Sequence, residues 1–444
     1  MSPLDPTQLP PQSKPALIDR LTIRSTKTLL AALVCTAFAL RAFFAALSFR
    51  DIPTASPNFG TFGAEMGWVA RSIATGHGFT SPFWPVTGPT ALVPPLYPYL
   101  LAGVFHLFGL YSVQSSLAIL LIQSLFSALT CIPIYLTVKH AVGERTAQLA
   151  GWLWVVYPFS IFYGATQVWD YAQTAFLFAI CFYLSQRLPA RKGLLPWIGF
   201  GLFYGVTALS NPSVLSLLPF LLLIALWKLR QPGTPWLMRA FSRGAVTTIA
   251  FFLVITPWSI RNHRVLHTAV PIRDGFWLEF WAGNHGDTSS SNPPAAHPAT
   301  NDAEMQQYQA QGEIAYLESK HVLAKQFVHQ HPLYFVGVCL RRAFRFWTGI
   351  WSFAPSYLRD QFLDIPNFFF CTCITFFMLR GIRRWWSVDP SQVFPYLIVV
   401  LFFPITYYLS HASMDYRQPI EPQIIILATI GAFGFRYSTR PEAL

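Results

Sequence analysis

Two acidic residues lie where an otherwise apolar chain could do chemistry. Glu65 lies in the stretch NFGTFGAEMGWVARSIATGHGFTSPF, and Asp170 lies in GATQVWDYAQ. On a helix over 62–75, Glu65 falls at the edge of an apolar stripe, together with Thr61, Trp68 and Ser72. A carboxylate there lies between lipid-level packing and water, where a general base for a lipid-linked substrate would be needed. The stripe consists of Phe62, Met66, Val69 and Ile73.

Each acid also has a simpler explanation, because Asp and Glu are favoured near helix N-termini. Asp170, however, opens an apolar segment, and an ionisable residue at membrane level is costly and indicates function. We therefore treat Glu65 and Asp170 as candidate catalytic residues. Two outer acids from separate loops could share acid/base work or hold a divalent metal such as Mg²⁺ or Mn²⁺.

Basic and polar groups next to apolar segments predict a phosphate site. Arg261 lies in TPWSIRNHRV, and Tyr416 and Arg417 lie in HASMDYRQPIEP. The planar guanidinium of arginine suits phosphate, so these three are candidate ligands for a donor phosphate; interface anchors or internal ion pairs are the alternative. Residues predicted to line the same cavity are Trp68, His77, Tyr97, Asn262, Asn284 and His285.

The amino-acid composition indicates what kind of secondary structure positions these residues. Of 444 residues, 53% are hydrophobic and only 11% are charged, whereas soluble proteins carry about 25% charged residues. The net charge of +12 does not indicate nucleic-acid binding, because the basic residues form short clusters between apolar runs. We predict an all-α polytopic membrane protein with juxtamembrane amphipathic helices in its first outer loop.

Apolar runs of suitable length predict about ten transmembrane helices. Most lysines and arginines fall in loops that share one side when the run 94–109 lies at the outer surface without crossing. Both chain ends are then cytoplasmic. Arg41, inside the first span, must find a partner or extend to the interface. The predicted spans are 28–49, 114–138, 147–164, 171–188, 194–209, 213–229, 244–260, 365–381, 392–410 and 418–436.

The predicted organisation follows from these spans. A cytoplasmic tail precedes a membrane module that contains the outer loop 50–113, a large outer region follows, and helices near the C-terminus end the chain. A helix is expected over 304–331 within the large outer region. The boundaries are 1–27, 28–260, 261–364, 365–436 and 437–444.

The order of several motifs resembles a known family. An outer acidic helix is followed by GHGF, SPF, TGPT and PPLYPYLLAGVFHLFG, then an acid that opens a later span, then TPWSIRN, VPIR and GN, and finally YRQPIEP. Over residues 28–430 this order is similar to the GT-C superfamily of polytopic glycosyltransferases, in particular its protein O-mannosyltransferase, aminoarabinose transferase and Rgt types.

The resemblance implies an inverting transfer of a sugar from a polyprenyl-phosphate donor to an envelope acceptor of unknown identity. The reaction would take place at the periplasmic face of a bacterial inner membrane. A carboxylate in the first outer loop would deprotonate the acceptor, and Arg or Lys groups would hold the donor phosphate.

The chain departs from the family at two positions. The family's acid aligns near Thr61, so Glu65, one turn later, would have to replace it; a lysine of some relatives corresponds to Val93, so Arg261 or Arg417 would have to hold the phosphate. Two other functions stay open: a transporter or flippase of lipid-linked sugars, and a non-catalytic scaffold in envelope assembly.

Overall fold

The computed structural model describes residues 25–52, 62–84, 86–230, 235–285, 296–349, 365–413 and 415–434. Over these residues the fold is built from α-helices, and the extended pairing is limited to a single bridge between Thr80 and Pro89. The predicted all-α class is confirmed.

Eleven α-helices lie before residue 267 in the described part of the chain. They are α1 (Thr26–Ser48), α2 (Glu65–Ala74), α3 (Leu96–Phe108), α4 (Val113–Leu129), α5 (Cys131–Ala141), α6 (Glu144–Val155), α7 (Pro158–Ala165), α8 (Tyr171–Arg187), α9 (Leu195–Ser210), α10 (Leu218–Trp227) and α11 (Trp236–Leu266).

The described residues after α11 form the other α-helices. They are α12 (Phe276–Asn284), α13 (Asp302–Gln311), α14 (Glu313–Gln330), α15 (Pro332–Thr348), α16 (Ile365–Trp386), α17 (Pro390–Phe402), α18 (Ile405–Leu409) and α19 (Glu421–Phe433). Short 3₁₀ helices cover Leu188–Ala190, Pro212–Ser216 and Asp415–Ile420.

Four helical segments in the described chain are long and apolar enough to cross a bilayer: α1, Val113–Ala141 (α4 with α5), α11 and Pro390–Leu409 (α17 with α18). They coincide with the predicted spans 28–49, 114–138, 244–260 and 392–410. The other six spans stay predictions; α9 and α10 are apolar but shorter.

Helix α3 is short, and the placement of 94–109 at the outer surface stays a prediction. Its 13 residues extend about 20 Å, which is less than the roughly 30 Å of a bilayer core. It packs against α2 through Leu101 and Phe105, in one cluster with Phe62 and Met66.

The prediction of one continuous helix over 147–164 is wrong. Helix α6 ends at Val155, and α7 begins at Pro158. Proline has no backbone N–H to donate and fits the first turn of a helix, so the chain restarts there. The predicted helix over 304–331 is likewise divided into α13 and α14 by Gly312, which has a φ of +75°.

The break between α6 and α7 provides the partners of Arg41. Its Nη1 donates to the carbonyl of Val155 at 3.1 Å, and its Nη2 donates to that of Trp154 at 3.0 Å. Nε and Nη2 also donate to the hydroxyls of Ser127 and Ser160, at 2.7 and 2.6 Å. Carbonyls at the end of a helix lack intrahelical donors and carry partial negative charge, so this buried cation is held without a carboxylate.

The C-terminal helices are joined by two glycines. A Cβ at Gly381 of α16 would lie 1.9 Å from the carbonyl of Leu427, and one at Gly431 of α19 would lie 1.9 Å from the carbonyl of Phe377. Only glycine permits the two backbones to approach this closely. The contact fixes α19 and with it the segment Asp415–Ile420 that precedes it.

Candidate active site

Glu65 is the first residue of α2, because the backbone turns sharply just before it. Gly63 and Ala64 have φ of +87° and +48°, and the apolar stripe of α2 then anchors the helix: Phe62, Met66 and Val69 are buried. Thr61, where the family acid would align, lies outside the described residues.

The Glu65 carboxyl lies at the edge of the buried stripe. Its side chain is 17% exposed, and Oε1 lies 3.5 Å from Nε2 of His297. Burial raises the pKa of Glu65 above its ordinary value, and His297 partly offsets this increase. A carboxylate with a raised pKa and some access to solvent suits a general base.

Asp170 immediately precedes α8 and is only 2% exposed. Its Oδ2 accepts hydrogen bonds from Oγ1 of Thr174 at 3.0 Å and from Nδ2 of Asn211 at 3.1 Å. Burial raises the pKa of Asp170 to about 6, against the lowering effect of these hydrogen bonds. The carboxyl therefore changes charge within the range in which enzymes work.

The charge of Arg273 acts on both acids. It lowers the pKa of Glu65 and the pKa of Asp170, in each case against the larger effect of burial. The Arg273 side chain is 33% exposed, and its Nη2 lies 3.8 Å from Oε1 of Glu279. Two acids from separate parts of the sequence thus share the field of one partly accessible guanidinium.

Arg273 is positioned by the end of α11, where the sequence reads PWSIRN. Nε1 of Trp258 donates to the carbonyl of Ile272 at 2.9 Å, and Oγ of Ser259 donates to that of Pro271 at 2.8 Å. Nδ2 of Asn262 donates to the carbonyl of Val270 at 3.0 Å. The buried Asn262 therefore holds the VPIR segment and makes no contact with the acids.

Arg261 is bound by the segment between α2 and α3. Its Nη1 donates to the carbonyl of Thr90 at 2.6 Å and its Nη2 to the carbonyl of Phe79 at 2.5 Å. The guanidinium also lies over the ring of Trp258, 4.9 Å from its centroid. These contacts favour a positioning role for Arg261 over the predicted phosphate contact.

A second group of polar side chains surrounds Glu279, on α12. Nδ1 of His411 lies 3.3 Å from Oε2 of Glu279, and the other nitrogen of His411 hydrogen-bonds the hydroxyl of Tyr416. Tyr171 donates to the carboxylate of Asp415. Tyr416, a predicted phosphate ligand, therefore lies in the cluster that contains Glu279 and Arg273.

Arg417 has the internal ion pair that was the alternative to a phosphate site. It is 2% exposed, and its Nε lies 2.5 Å from Oε1 of Glu421. The hydroxyl of Tyr157 donates to the other oxygen of Glu421 at 2.7 Å. These contacts favour a structural role for Arg417.

Asn284 and Arg342 fix the segment that leads to His411. Nδ2 of Asn284 donates to the carbonyl of Leu409 at 2.8 Å, and its Oδ1 accepts from Nη1 of Arg342 at 2.9 Å. His285 stacks on Trp281, with ring centroids 4.4 Å apart. Asn284 is thus a support of the cluster and not a member of it.

Three further predicted residues lie around α2 and α3. The buried Tyr97 donates to Gln123, which in turn donates to the carbonyl of Gln167, three residues before Asp170. Trp68 stacks on Trp84, and His77 hydrogen-bonds Thr75 at the surface. The described contacts of Trp68 and His77 are with the outer loop and not with the acids.

Several members of the cluster were not predicted. Arg273 belongs to the VPIR motif, so its position in the motif order was the available signal. Glu279, His297 and His411 carry no comparable signal, because their role depends on contacts with distant segments. Among the described residues, no three His, Cys, Asp or Glu side chains lie close enough to hold a metal ion, so a divalent metal stays a prediction.

The chain is similar to known glycosyltransferases. The family model described as dolichyl-phosphate-mannose-protein mannosyltransferase matches residues 92–260. The apo oligosaccharyltransferase of Archaeoglobus fulgidus has a TM-score of 0.51 at 14% identity, over 90% of this chain and 50% of that chain. Its complex with an inhibitory peptide and a dolichol-phosphate has a TM-score of 0.50 at 14% identity, over 91% and 50%.

A third solved structure, apo ArnT from Cupriavidus metallidurans, has a TM-score of 0.39 at 14% identity, over 92% of this chain and 78% of that chain. No curated protein matches the chain. The chain spans about half the length of the oligosaccharyltransferase chains that share its fold. Over residues 92–260 the chain is thus similar to the mannosyltransferase family, and it has the fold of the archaeal oligosaccharyltransferase, both of which are consistent with a GT-C membrane glycosyltransferase.

Proposed function

We propose that this chain transfers a sugar from a polyprenyl-phosphate donor to an envelope acceptor, with inversion at the anomeric carbon, on the periplasmic face of a bacterial inner membrane. The observation that carries the proposal is the cluster of Arg273, Glu279, His411 and Tyr416, in which the guanidinium of Arg273 is 33% exposed and makes a 3.8 Å contact with Glu279. The raised pKa values of Glu65 and Asp170 support it. The name of the matching family and the dolichol-phosphate bound to the archaeal oligosaccharyltransferase support a lipid-phosphate donor.

Arg273 holds the donor phosphate in this proposal. Arg261 and Arg417 are engaged by carbonyls and by a carboxylate of the protein itself. Arg273 is more accessible, and its contact with Glu279 is a long one, 3.8 Å. A phosphate can therefore bind its guanidinium without displacing a tight internal partner. Tyr416, which lies in the same cluster, is a second candidate ligand.

Glu65 acts as the base. Its carboxylate takes the proton of the acceptor hydroxyl as the acceptor oxygen bonds to the anomeric carbon. The bond between that carbon and the phosphate oxygen breaks, and its electron pair leaves with the polyprenyl phosphate, where Arg273 stabilises the negative charge. The products are the glycoside and the free carrier phosphate, with the proton on Glu65.

Asp170 positions Arg273 through its charge. It is too buried to reach a large acceptor, and its own hydrogen bonds to Thr174 and Asn211 hold it in place. In this proposal the field of the fixed anion orients the guanidinium of Arg273 before the substrate binds, which lowers the reorganisation needed during the reaction.

The test is reconstitution of the purified protein in lipid vesicles with a panel of radiolabelled polyprenyl-phosphate sugars, with separate measurement of sugar transfer and of donor movement across the bilayer. We expect the wild type to transfer one sugar and Arg273→Gln to bind the donor weakly. Arg264→Gln, at an exposed position in the last turn of α11, is the matched control. Donor movement without transfer would indicate a flippase. Neither activity, with donor binding unaffected by Arg273→Gln, would contradict the proposal.

A further inference from the structure

A cavity of about 320 Å³ lies far from the candidate active site. It is placed where α8 ends, whereas Asp170 lies where α8 begins. The 17 residues of α8 extend about 25 Å, so the two sites lie towards opposite faces of the bilayer. The cavity is lined by Tyr183, Leu184, Arg187, Leu188, Arg191, Pro196, Gly199, Phe200 and Phe203.

The lining combines apolar walls with two guanidinium groups. Leu184, Phe200 and Phe203 come from facing sides of α8 and α9, whereas Arg187 and Arg191 lie where α8 ends and the following loop begins. A surface that is apolar over most of its length and cationic at one end matches a molecule with a hydrocarbon chain and an anionic headgroup.

The two arginines are not neutralised by described residues. Within the described chain no carboxylate lies at ion-pair distance from either Arg187 or Arg191. Nη1 of Arg187 contacts the ring of His140, at 2.6 Å from Nδ1, and no described group accepts a hydrogen bond from its buried Nε. An anion would satisfy this nitrogen and balance the charge.

The position in the membrane favours a lipid as the source of that anion. Residues 187–193 form a predicted cytoplasmic loop, and basic pockets between membrane helices on that side bind anionic headgroups. We propose that this cavity binds an anionic phospholipid, with its phosphate at Arg187 and Arg191 and an acyl chain against Phe200 and Phe203. The site is separate from the donor site and does not depend on the proposed reaction.

The first test compares lipids that differ only in headgroup charge. The full chain, purified and delipidated in detergent, is mixed with phosphatidylglycerol or with phosphatidylcholine of the same acyl chains, and bound lipid is counted by native mass spectrometry. We expect the wild type to retain phosphatidylglycerol preferentially. For the double variant Arg187→Gln/Arg191→Gln we expect a loss of about 25-fold in phosphatidylglycerol affinity, since each basic group near an anionic headgroup contributes about fivefold.

The second test fills the cavity and keeps both charges. Gly199 lines the cavity, and a Cβ added there meets no atom within 4 Å. Gly199→Leu should therefore fold, occupy the apolar part and reduce phosphatidylglycerol retention with both arginines present. Gly103→Leu is the matched control, because a Cβ at this glycine on α3 also meets no atom within 4 Å.

Three results would overturn the proposal. They are equal retention of the two lipids by the wild type, unchanged retention in Gly199→Leu, and displacement of the lipid by glycerol phosphate at equal concentration, which would make a free phosphate the ligand. The variant Arg187→Lys/Arg191→Lys should keep the headgroup preference. It thereby separates loss of charge from loss of fold if the glutamine variant is unstable.

Discussion

At the residue scale, Arg273 is the proposed link between the base and the donor site. Burial favours the neutral forms of Glu65 and Asp170, and the guanidinium of Arg273 favours their ionised forms. The same cation is accessible enough to meet a phosphate. Loss of Arg273 should therefore weaken both the base and the donor site.

Glu65→Gln tests the base directly. We expect transfer to fall by about 10²- to 10⁴-fold, because the amide cannot accept the acceptor's proton. Stability should hardly change, because the ion contact of Glu65 within the described residues is a long one, 3.5 Å to His297. The measurements are kcat/KM with the best donor and the melting temperature. Glu318→Gln, an exposed carboxylate on α14, is the control; full activity in Glu65→Gln would exclude Glu65 from the mechanism.

Arg273→Gln and Arg417→Ala should affect different quantities. Arg273→Gln should raise the donor KM and lower kcat with little loss of stability. Arg417→Ala leaves the carboxylate of Glu421 buried without its cation, so we expect a loss of about 3–5 kcal/mol in the free energy of unfolding. Donor KM and denaturant unfolding measure the two effects. A raised donor KM in a stable Arg417→Ala protein would restore Arg417 as a phosphate ligand.

The pH dependence should follow from Asp170. Its pKa of about 6 in the folded protein means that the carboxylate of Asp170 is neutralised as the pH falls below about 6. We expect kcat/KM to decrease through that range and to be independent of pH between about 7 and 8. A profile that remains flat down to pH 5 would show that the charge of Asp170 is not needed.

The raised pKa of Asp170 also makes the stability of the folded protein depend on pH. The folded protein binds the proton of Asp170 more tightly than the unfolded chain, so this stabilisation is fully present below the unfolded pKa and is lost as the pH rises through about 6. Asp170→Asn, which mimics the neutral form, should therefore be more stable than the wild type at pH 7.5. The difference should vanish near pH 4.

At the scale of elements, the end of α11 acts as a support for the VPIR segment. Three side chains within five residues, Trp258, Ser259 and Asn262, each bind a different carbonyl of the three residues before Arg273. The side chains of one helix turn thus determine where the guanidinium lies. The motifs PWSIRN and VPIR belong together because they form one structural unit.

Asn262→Ala tests this unit. Nδ2 of the buried side chain donates to Val270, and its Oδ1 accepts from Arg261, so we expect a loss of about 1–3 kcal/mol of stability. If Asn262 positions Arg273, the donor KM should rise and kcat should fall together. Ser259→Ala, which removes a more exposed hydrogen bond, should have a smaller effect on both. An unchanged donor KM in Asn262→Ala would limit this residue to stability.

At the scale of the whole molecule, Arg41 joins the first membrane helix to three others. Its guanidinium reaches α4, the end of α6 and the start of α7. Each carbonyl and hydroxyl that it binds would be left buried without a donor if the side chain were removed. From the composition alone, the charge of Arg41 inside an apolar helix is expected to be energetically unfavourable. In the structure, Arg41 instead connects four helices of the bundle.

Arg41→Met should destabilise the folded protein by at least about 3 kcal/mol, because several buried acceptors lose their donor at once. Arg145→Met, at an exposed position on α6, should change stability by less than about 0.5 kcal/mol. The melting temperatures of both variants in detergent provide the comparison. Equal stability would show that water or the neighbouring backbone can replace the guanidinium.

The sequence alone was sufficient for the class of the protein and for its apolar helices. A charged fraction of 11% cannot cover a soluble surface, and apolar runs of membrane length form helices because the backbone must satisfy its hydrogen bonds within the segment. The sequence also predicted that Glu65 and Asp170 lie near the starts of helices, because helix periodicity and chain order are local properties. Pro158 could have indicated the break, but the apolar residues on both sides of it favoured a single span over 147–164.

Only the tertiary structure decided which of the arginines lacks a tight internal partner and is therefore proposed to bind the donor phosphate. Arg261, Arg273 and Arg417 are chemically identical, and their local sequences do not rank them. Their hydrogen-bond partners distinguish them. Arg261 donates to Thr90, which is 171 residues away in the sequence, and Arg417 donates to Tyr157, which is 260 residues away. Periodicity and spacing report on neighbours within a few turns of a helix, whereas the charge state and access of a side chain depend on which distant segments pack around it.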